Sequence, residues 1–255
     1  MLFRRTLFPA LLAAAMCCAP LAASAQSFSD AQRGEIEGII KNYLLSHPEI
    51  LEEVSAELSR RQAKEEAEKH AAAVTDNAKI IFESPRGVTL GNRSGDVTMV
   101  EFFDYNCGYC KQAMADMLDL LKTDPKLRVV LKEFPVLGPA SVEAAQVAVA
   151  VRMQDPEGKK YLAFHQTLLG GRGQADKARA LAAAKEAGLD MARIEKDMNS
   201  PEVRATIEEN YGLAKSMGLN GTPSYVIGKE VVVGAVGHDA LKEKISIARC
   251  GKAAC

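Results

Sequence analysis

The chain has 255 residues, 47% hydrophobic and 25% charged, with a formal net charge of −1 and six cysteines. Such a balance carries no basic footprint for nucleic acid or an anionic membrane surface. The length allows one sizeable core with room for an appendage.

Arg4 and Arg5 precede the short apolar run LFPALLAAAM, and Ala23-Ser24-Ala25 follows with the small residues of a cleavage site. Residues 1–25 therefore read as a secretory signal cleaved after Ala25. The apolar run is shorter than the roughly 20 residues a spanning helix needs. Lipidation at Cys17 or Cys18 is the weaker alternative, since AAMC is a poor context for it. The expected compartment is the periplasm of a Gram-negative-type cell, where disulfides persist. Loss of Arg4 and Arg5 moves the charge from −1 to −3, and loss of Cys17 and Cys18 leaves Cys107, Cys110, Cys250 and Cys255.

Residues 26–84 read as a helical arm. Ser29 or Asp30 can cap its start, and Ile36, Ile39, Ile40, Tyr43 and Leu44 follow at helical spacing. SHPE at 46–49 interrupts, with Ser46 suited to an N-cap and Pro48 to a first turn. A second helix carries Leu51, Val54 and Leu58, then a charged stretch in which Glu65 lies four residues before Lys69. The apolar stripe stops after Leu58, too soon for a long coiled coil. It either folds onto the main domain or is buried between copies, making residues 28–80 a homo-oligomerisation segment.

Ser84-Pro85-Arg86-Gly87 marks a boundary, and residues 85–249 read as one α/β domain. Val97–Phe103 is an apolar run expected of a strand covered on both faces. A helix with Ala113, Met114, Met117, Leu118 and Leu121 on one face leads to a second buried strand, Leu127–Leu131. That order implies parallel strands. Residues 139–218 read as an all-helical block of four or five helices, and strands return at Tyr225–Ile227 and Val231–Val233 before a last helix over Asp239–Ala248.

Cys107 and Cys110 fall where the first strand turns into helix. A thiolate, not a thiol, attacks a disulfide, and a helix N-terminus favours negative charge. Cys110, one turn further on, can close the ring and release a trapped mixed disulfide. Gly108 leaves the approach to Cys107 open, and Tyr109 modulates the thiolate. Zinc would need two more ligands at suitable spacing. CGKAAC at 250–255 does not supply them, and His47, His70, His165 and His238 are scattered, so no metal site is expected. A purely structural CxxC staple would constrain little chain. Glu101, the lone acid of its apolar strand, is either a buried acid that moves the resolving cysteine's proton or a strand-edge glutamate reaching water. Gly221-Thr222-Pro223 reads as an ordinary turn or as a special loop, because proline belongs at a strand's start; its X-Pro bond admits the cis form.

Together EFFDYNCGYC, the long helical insertion and GTP before a terminal ββα resemble the DsbA-like branch of the thioredoxin superfamily, over residues 88–249. The resemblance implies a thioredoxin fold with an inserted all-helical domain. It makes Cys107 the exposed nucleophile, Cys110 the buried resolving thiol, Glu101 the buried acid, and Thr222-Pro223 the cis-proline loop that binds a client's extended backbone. Oxidases of this branch commonly carry Pro-His between the cysteines and Val before the proline. Gly108-Tyr109 and Thr222 are instead similar to periplasmic isomerases and to ScsC proteins, which add an N-terminal helical oligomerisation segment and are linked with copper tolerance. No dedicated copper ligands stand beside the thiols.

The expectation is therefore a periplasmic thiol–disulfide oxidoreductase acting through a mixed disulfide at Cys107, leaning to isomerisation or shuffling. Its only redox group would be the Cys107–Cys110 pair, without cofactor. Its partners would be cysteine-containing exported clients and a membrane redox protein that resets the pair. The alternatives are a DsbA-type oxidase, a copper-binding or chaperone-like envelope protein without turnover, and an envelope protein whose domain is structural only. His165 is expected to pack in the helical block, Lys132-Glu133 to line a strand exit, and Cys250 and Cys255 to pair as a tail staple or serve as a regulatory thiol pair.

Overall fold

The computed structural model describes residues 28–255, so the expected signal over residues 1–25 lies outside the described residues. These residues separate into two compact units, the first ending at Leu58 and the second spanning Ser59–Cys255. In the first unit, α1 covers Asp30–Ser46 and α2 starts at Glu49, running on to Asp76. Ser29 caps α1 through a capping box with Gln32. Ser46 is not the N-cap expected for the second helix; it ends α1, and His47 is the C-cap. Ile36, Ile39, Ile40, Tyr43, Leu51, Val54 and Leu58 are all exposed.

The second unit begins well before Pro85. Val74, near the end of α2, and Ile81, in α3 (Ala78–Glu83), are buried in a cluster with Phe102, Val130 and Val226. The residues from 59 to 84 thus divide from the apolar stripe upstream, because their own apolar side chains have a sheet face to cover.

That sheet has five strands: β1 (Val88–Gly91), β2 (Val97–Phe103), β3 (Leu127–Glu133), β4 (Ser224–Ile227) and β5 (Glu230–Val233), in the order β1-β3-β2-β4-β5. β2 and β3 are parallel, as expected, and the outer pairings are antiparallel. β1 was not foreseen, being only four residues with a glycine at its end. β3 runs two residues beyond its expected end, which takes Lys132 and Glu133 into the buried sheet instead of its exit.

Successive residues of β2 face opposite ways. Met99 and Phe103 join the core formed with α4 (Gly108–Thr123) and α10 (His238–Cys250), while Val100 and Phe102 face the cluster containing Val74 and Ile81. Between β3 and β4 come five helices: α5 (Pro139–Gln154), α6 (Lys159–Gly170), α7 (Lys177–Glu186), α8 (Met191–Asp197) and α9 (Pro201–Ser216). α5 is apolar on most sides, with Ala144, Val147, Ala148, Ala150 and Val151 in the main core and Ala145 and Val149 against Val203 and Ile207 of α9. Such all-round burial explains why it shows no single apolar stripe.

Candidate active site

Cys107 is the N-cap of α4, with extended backbone (φ −83°, ψ 115°). Cysteine is a poor capping residue beside Ser, Asp or Asn, so local helix stability does not account for it. Its Sγ accepts the backbone N–H of Cys110 at 3.3 Å and donates to the carbonyl of Thr222 at 3.1 Å, across 115 positions of sequence. The Thr222–Pro223 bond is cis. The fold thus places the two motifs singled out in the sequence against one sulfur.

Both cysteines are free thiols. Cys107 is not the openly exposed nucleophile expected: it retains 7% of its surface, with the Thr222-Pro223 loop against its sulfur, whereas Cys110 retains none. Burial pushes the Cys110 thiol far up, Cys107 and Glu101 adding to that and a backbone contact from Asp104 opposing it. Gly108 beside them is open, since a Cβ there would meet nothing within 4 Å, and Tyr109 is 66% exposed.

Glu101 does not reach water. It is 3% exposed, and burial raises its carboxyl to about 8. In the sheet it stands opposite Tyr225 of β4 and beside Leu131 of β3. It shares its face with Met99 and Phe103, whose core contains both cysteines. An acid poised near neutrality and a thiol that resists ionisation are therefore lodged in one apolar compartment.

Residues not singled out as site residues fasten the junction. Asp104, 1% exposed, accepts from the amides of Asn106 (2.8 Å) and Leu137 (2.9 Å). The Asn106 amide donates to Ser141 Oγ and the Ala175 carbonyl and accepts from Ala175 N–H, tying the turn to the helical block. Beneath the turn, Tyr105 Oη lies 3.2 Å from Tyr161 Oη, which donates to Glu133 at 2.7 Å, and His165 Nδ1 lies 3.3 Å from Tyr105 Oη. His165 is packed, as expected, and burial lowers its imidazole to about 3, so it is neutral. Nothing local in the sequence pairs Tyr105, Tyr161 and Glu133; the only signal is polar residues inside otherwise apolar segments.

Cys250 and Cys255 form a disulfide with sulfurs 2.09 Å apart. It lies at the opposite end of α4 from Cys107, because Arg249 bridges to Asp124, the C-cap of α4. Among the described residues no cluster of His, Cys, Asp or Glu suits a metal ion, and no helix is long and apolar enough to cross a membrane.

A cysteine at a helix N-cap, a second buried cysteine one turn on and a cis-proline loop against the first sulfur agree with a match to the DSBA-like thioredoxin domain over residues 98–246. The chain belongs to the DSBA-like thioredoxin family. A second match, to the N-terminal domain of the copper resistance protein ScsC, covers residues 32–65. A thioredoxin-like oxidoreductase from Silicibacter pomeroyi is 44% identical, with a TM-score of 0.64 over 67% of this chain and 96% of that one. ScsC from Proteus mirabilis is 28% identical, with a TM-score of 0.64 over 88% of this chain and 98% of that one. The thiol:disulfide interchange protein DsbA of Bordetella pertussis is 27% identical across 52% of this chain and 64% of its own length. The chain spans about a quarter of the curated relatives it matches first, 24% of the Na(+)/H(+) antiporter NhaA 1 of Salinispora arenicola at 27% identity. The DSBA-like match thus spans the site, and the ScsC-type match spans most of α1 and the first part of α2.

Proposed function

We propose that the protein is a periplasmic thiol–disulfide oxidoreductase that shuffles disulfides in exported proteins through a mixed disulfide at Cys107. The observation that carries this is the coordination of one sulfur, capped by an amide at 3.3 Å and set 3.1 Å from the Thr222 carbonyl, with a second thiol buried one turn away.

The steps balance without a cofactor. Cys107 thiolate attacks a client disulfide; a Cys107–client bond forms and one client sulfur leaves as a thiolate. The client then either resolves the adduct with another of its own cysteines, which returns Cys107 as a thiolate and leaves a rearranged client, or Cys110 attacks Cys107. In the second route Cys107–Cys110 closes, the client leaves reduced, and Glu101 is the acceptor of the Cys110 proton. An oxidised pair would be reset by a dithiol redox partner at the membrane.

The leaning to shuffling rests on Gly108, Tyr109 and Thr222, which resemble isomerases, and on the apolar side chains exposed between Ile36 and Leu58. A homo-oligomer through that segment would gather several reduced sites around one client and cover this surface. The test is reactivation of scrambled ribonuclease by the reduced protein, compared with a chain beginning at Ser59. We expect reactivation by the whole chain and simple thiol exchange without reactivation by the shorter one. If neither reactivates ribonuclease yet both oxidise a reduced peptide, the protein is an oxidase and the isomerase reading fails.

A further inference from the structure

Tyr225 is 1% exposed, and its hydroxyl has no hydrogen-bond partner among the described residues. A buried hydroxyl left unpaired is costly, and phenylalanine would fill the same space without that cost. Its position explains what it could serve. Tyr225 faces Glu101 across the antiparallel β2–β4 pairing, so the two side chains stand on one face of the sheet, where opposed Cβ atoms are about 5 Å apart. That face is the one covered by Cys107, Cys110 and Met117.

The ionisable groups that act most strongly on the phenol are acids: Glu101 from β2, Cys110 and Asp116 from α4, and Cys107 at the junction. Val232 stands opposite it on β5, and Leu241 and Ile245 of α10 belong to the same apolar cluster. Burial, with these acids adding to it, keeps the phenol protonated. Tyr225 is thus a permanent donor with no acceptor in the dithiol state.

We propose that the Tyr225 hydroxyl serves the negative charge that passes between Glu101 and Cys110 during resolution of the mixed disulfide. Before transfer the charge is on the Glu101 carboxylate. As Glu101 takes the proton, the charge moves to the Cys110 sulfur, which attacks Cys107; the Cys107–Cys110 bond forms and the client thiolate leaves. A neutral donor on the sheet face that holds Glu101, within the core that holds Cys110, stabilises the charge throughout, so Tyr225 is a positioning residue that neither gains nor loses a proton. This rests on the mixed-disulfide reading above.

The test is Tyr225→Phe in the full chain, with a single-cysteine peptide disulfide as probe. Two rates are followed against pH: attack by Cys107, measured in a Cys110→Ser background, and closure of Cys107–Cys110 from the mixed disulfide. We expect attack to be unchanged, and the pH profile of closure to move up by about one unit, a roughly tenfold slowing below the midpoint. We also expect Glu101→Gln and Tyr225→Phe to be non-additive in closure. An unshifted profile, a pH-independent slowing or additive effects would overturn the proposal and leave Tyr225 as core packing. Absence of any adduct at Cys107 in the unsubstituted chain would instead sink the mixed-disulfide reading, and this proposal with it.

Discussion

At Glu101 and His165, burial acts on an acid and a base in opposite senses, and the two make opposite demands on pH. The Glu101 carboxyl moves from 4.5 unfolded to about 8 folded, so the native state holds a proton that the unfolded chain has lost. Its contribution is complete below 4.5 and is lost as pH rises through 8, at about 1.4 kcal/mol per unit. Burial raises Glu133 too, on the same side. His165 moves from 6.5 to about 3; its contribution is present above 6.5 and is lost as pH falls toward 3. Chemical denaturation of the dithiol form should therefore show stability falling between pH 6.5 and 8, and Glu101→Gln should flatten that limb. His165→Phe should instead remove one proton's worth of the loss on acidification below 6.5. Gly108 makes the contrasting case. Because its Cβ position is open, Gly108→Ala should change stability by less than about 0.5 kcal/mol while altering the redox potential of the pair, as read by glutathione equilibration.

Between elements, the joints are polar as well as apolar. Lys132 of β3 is wholly buried, with Nζ 3.6 Å from Glu209 of α9, and Glu209 also holds Arg86 at 2.9 Å. Glu209→Gln removes the carboxylate that pairs with the Lys132 ammonium and should cost about 3 kcal/mol by urea unfolding, more than the double replacement with Lys132→Met. On the same side of the sheet, Val74 and Ile81 have almost no exposed surface. Ile81→Ala should cost about 2–5 kcal/mol, and a chain begun at Pro85 should be far less stable than one begun at Ser59. Strands β2 and β3 and helix α4 were legible because a run of apolar residues, or an apolar stripe at helical spacing, is a local property. The extent of the arm was not, since Val74 and Ile81 look like any interrupted stripe until the sheet face they cover exists.

At the scale of the whole molecule, the Cys107–Cys110 pair and the tail disulfide occupy opposite ends of α4, the second anchored beside Asp124 through Arg249. Replacing Cys250 and Cys255 by serine should leave peptide exchange at Cys107 unchanged, and alkylation of the mildly reduced protein should modify Cys107 before any other thiol. By itself the sequence determined the helical and strand periods, the cysteine pair at a strand-to-helix junction, and the presence of a lone acid in an apolar strand. All of these are written in residue types a few positions apart. Only the tertiary structure decided that the Thr222 carbonyl reaches the Cys107 sulfur, that Glu101 is sealed from water, and that Tyr225 faces it unpaired. Those relations depend on strand register and on which face each side chain buries. Both are settled by contacts across more than a hundred residues, which the local order of residues does not encode.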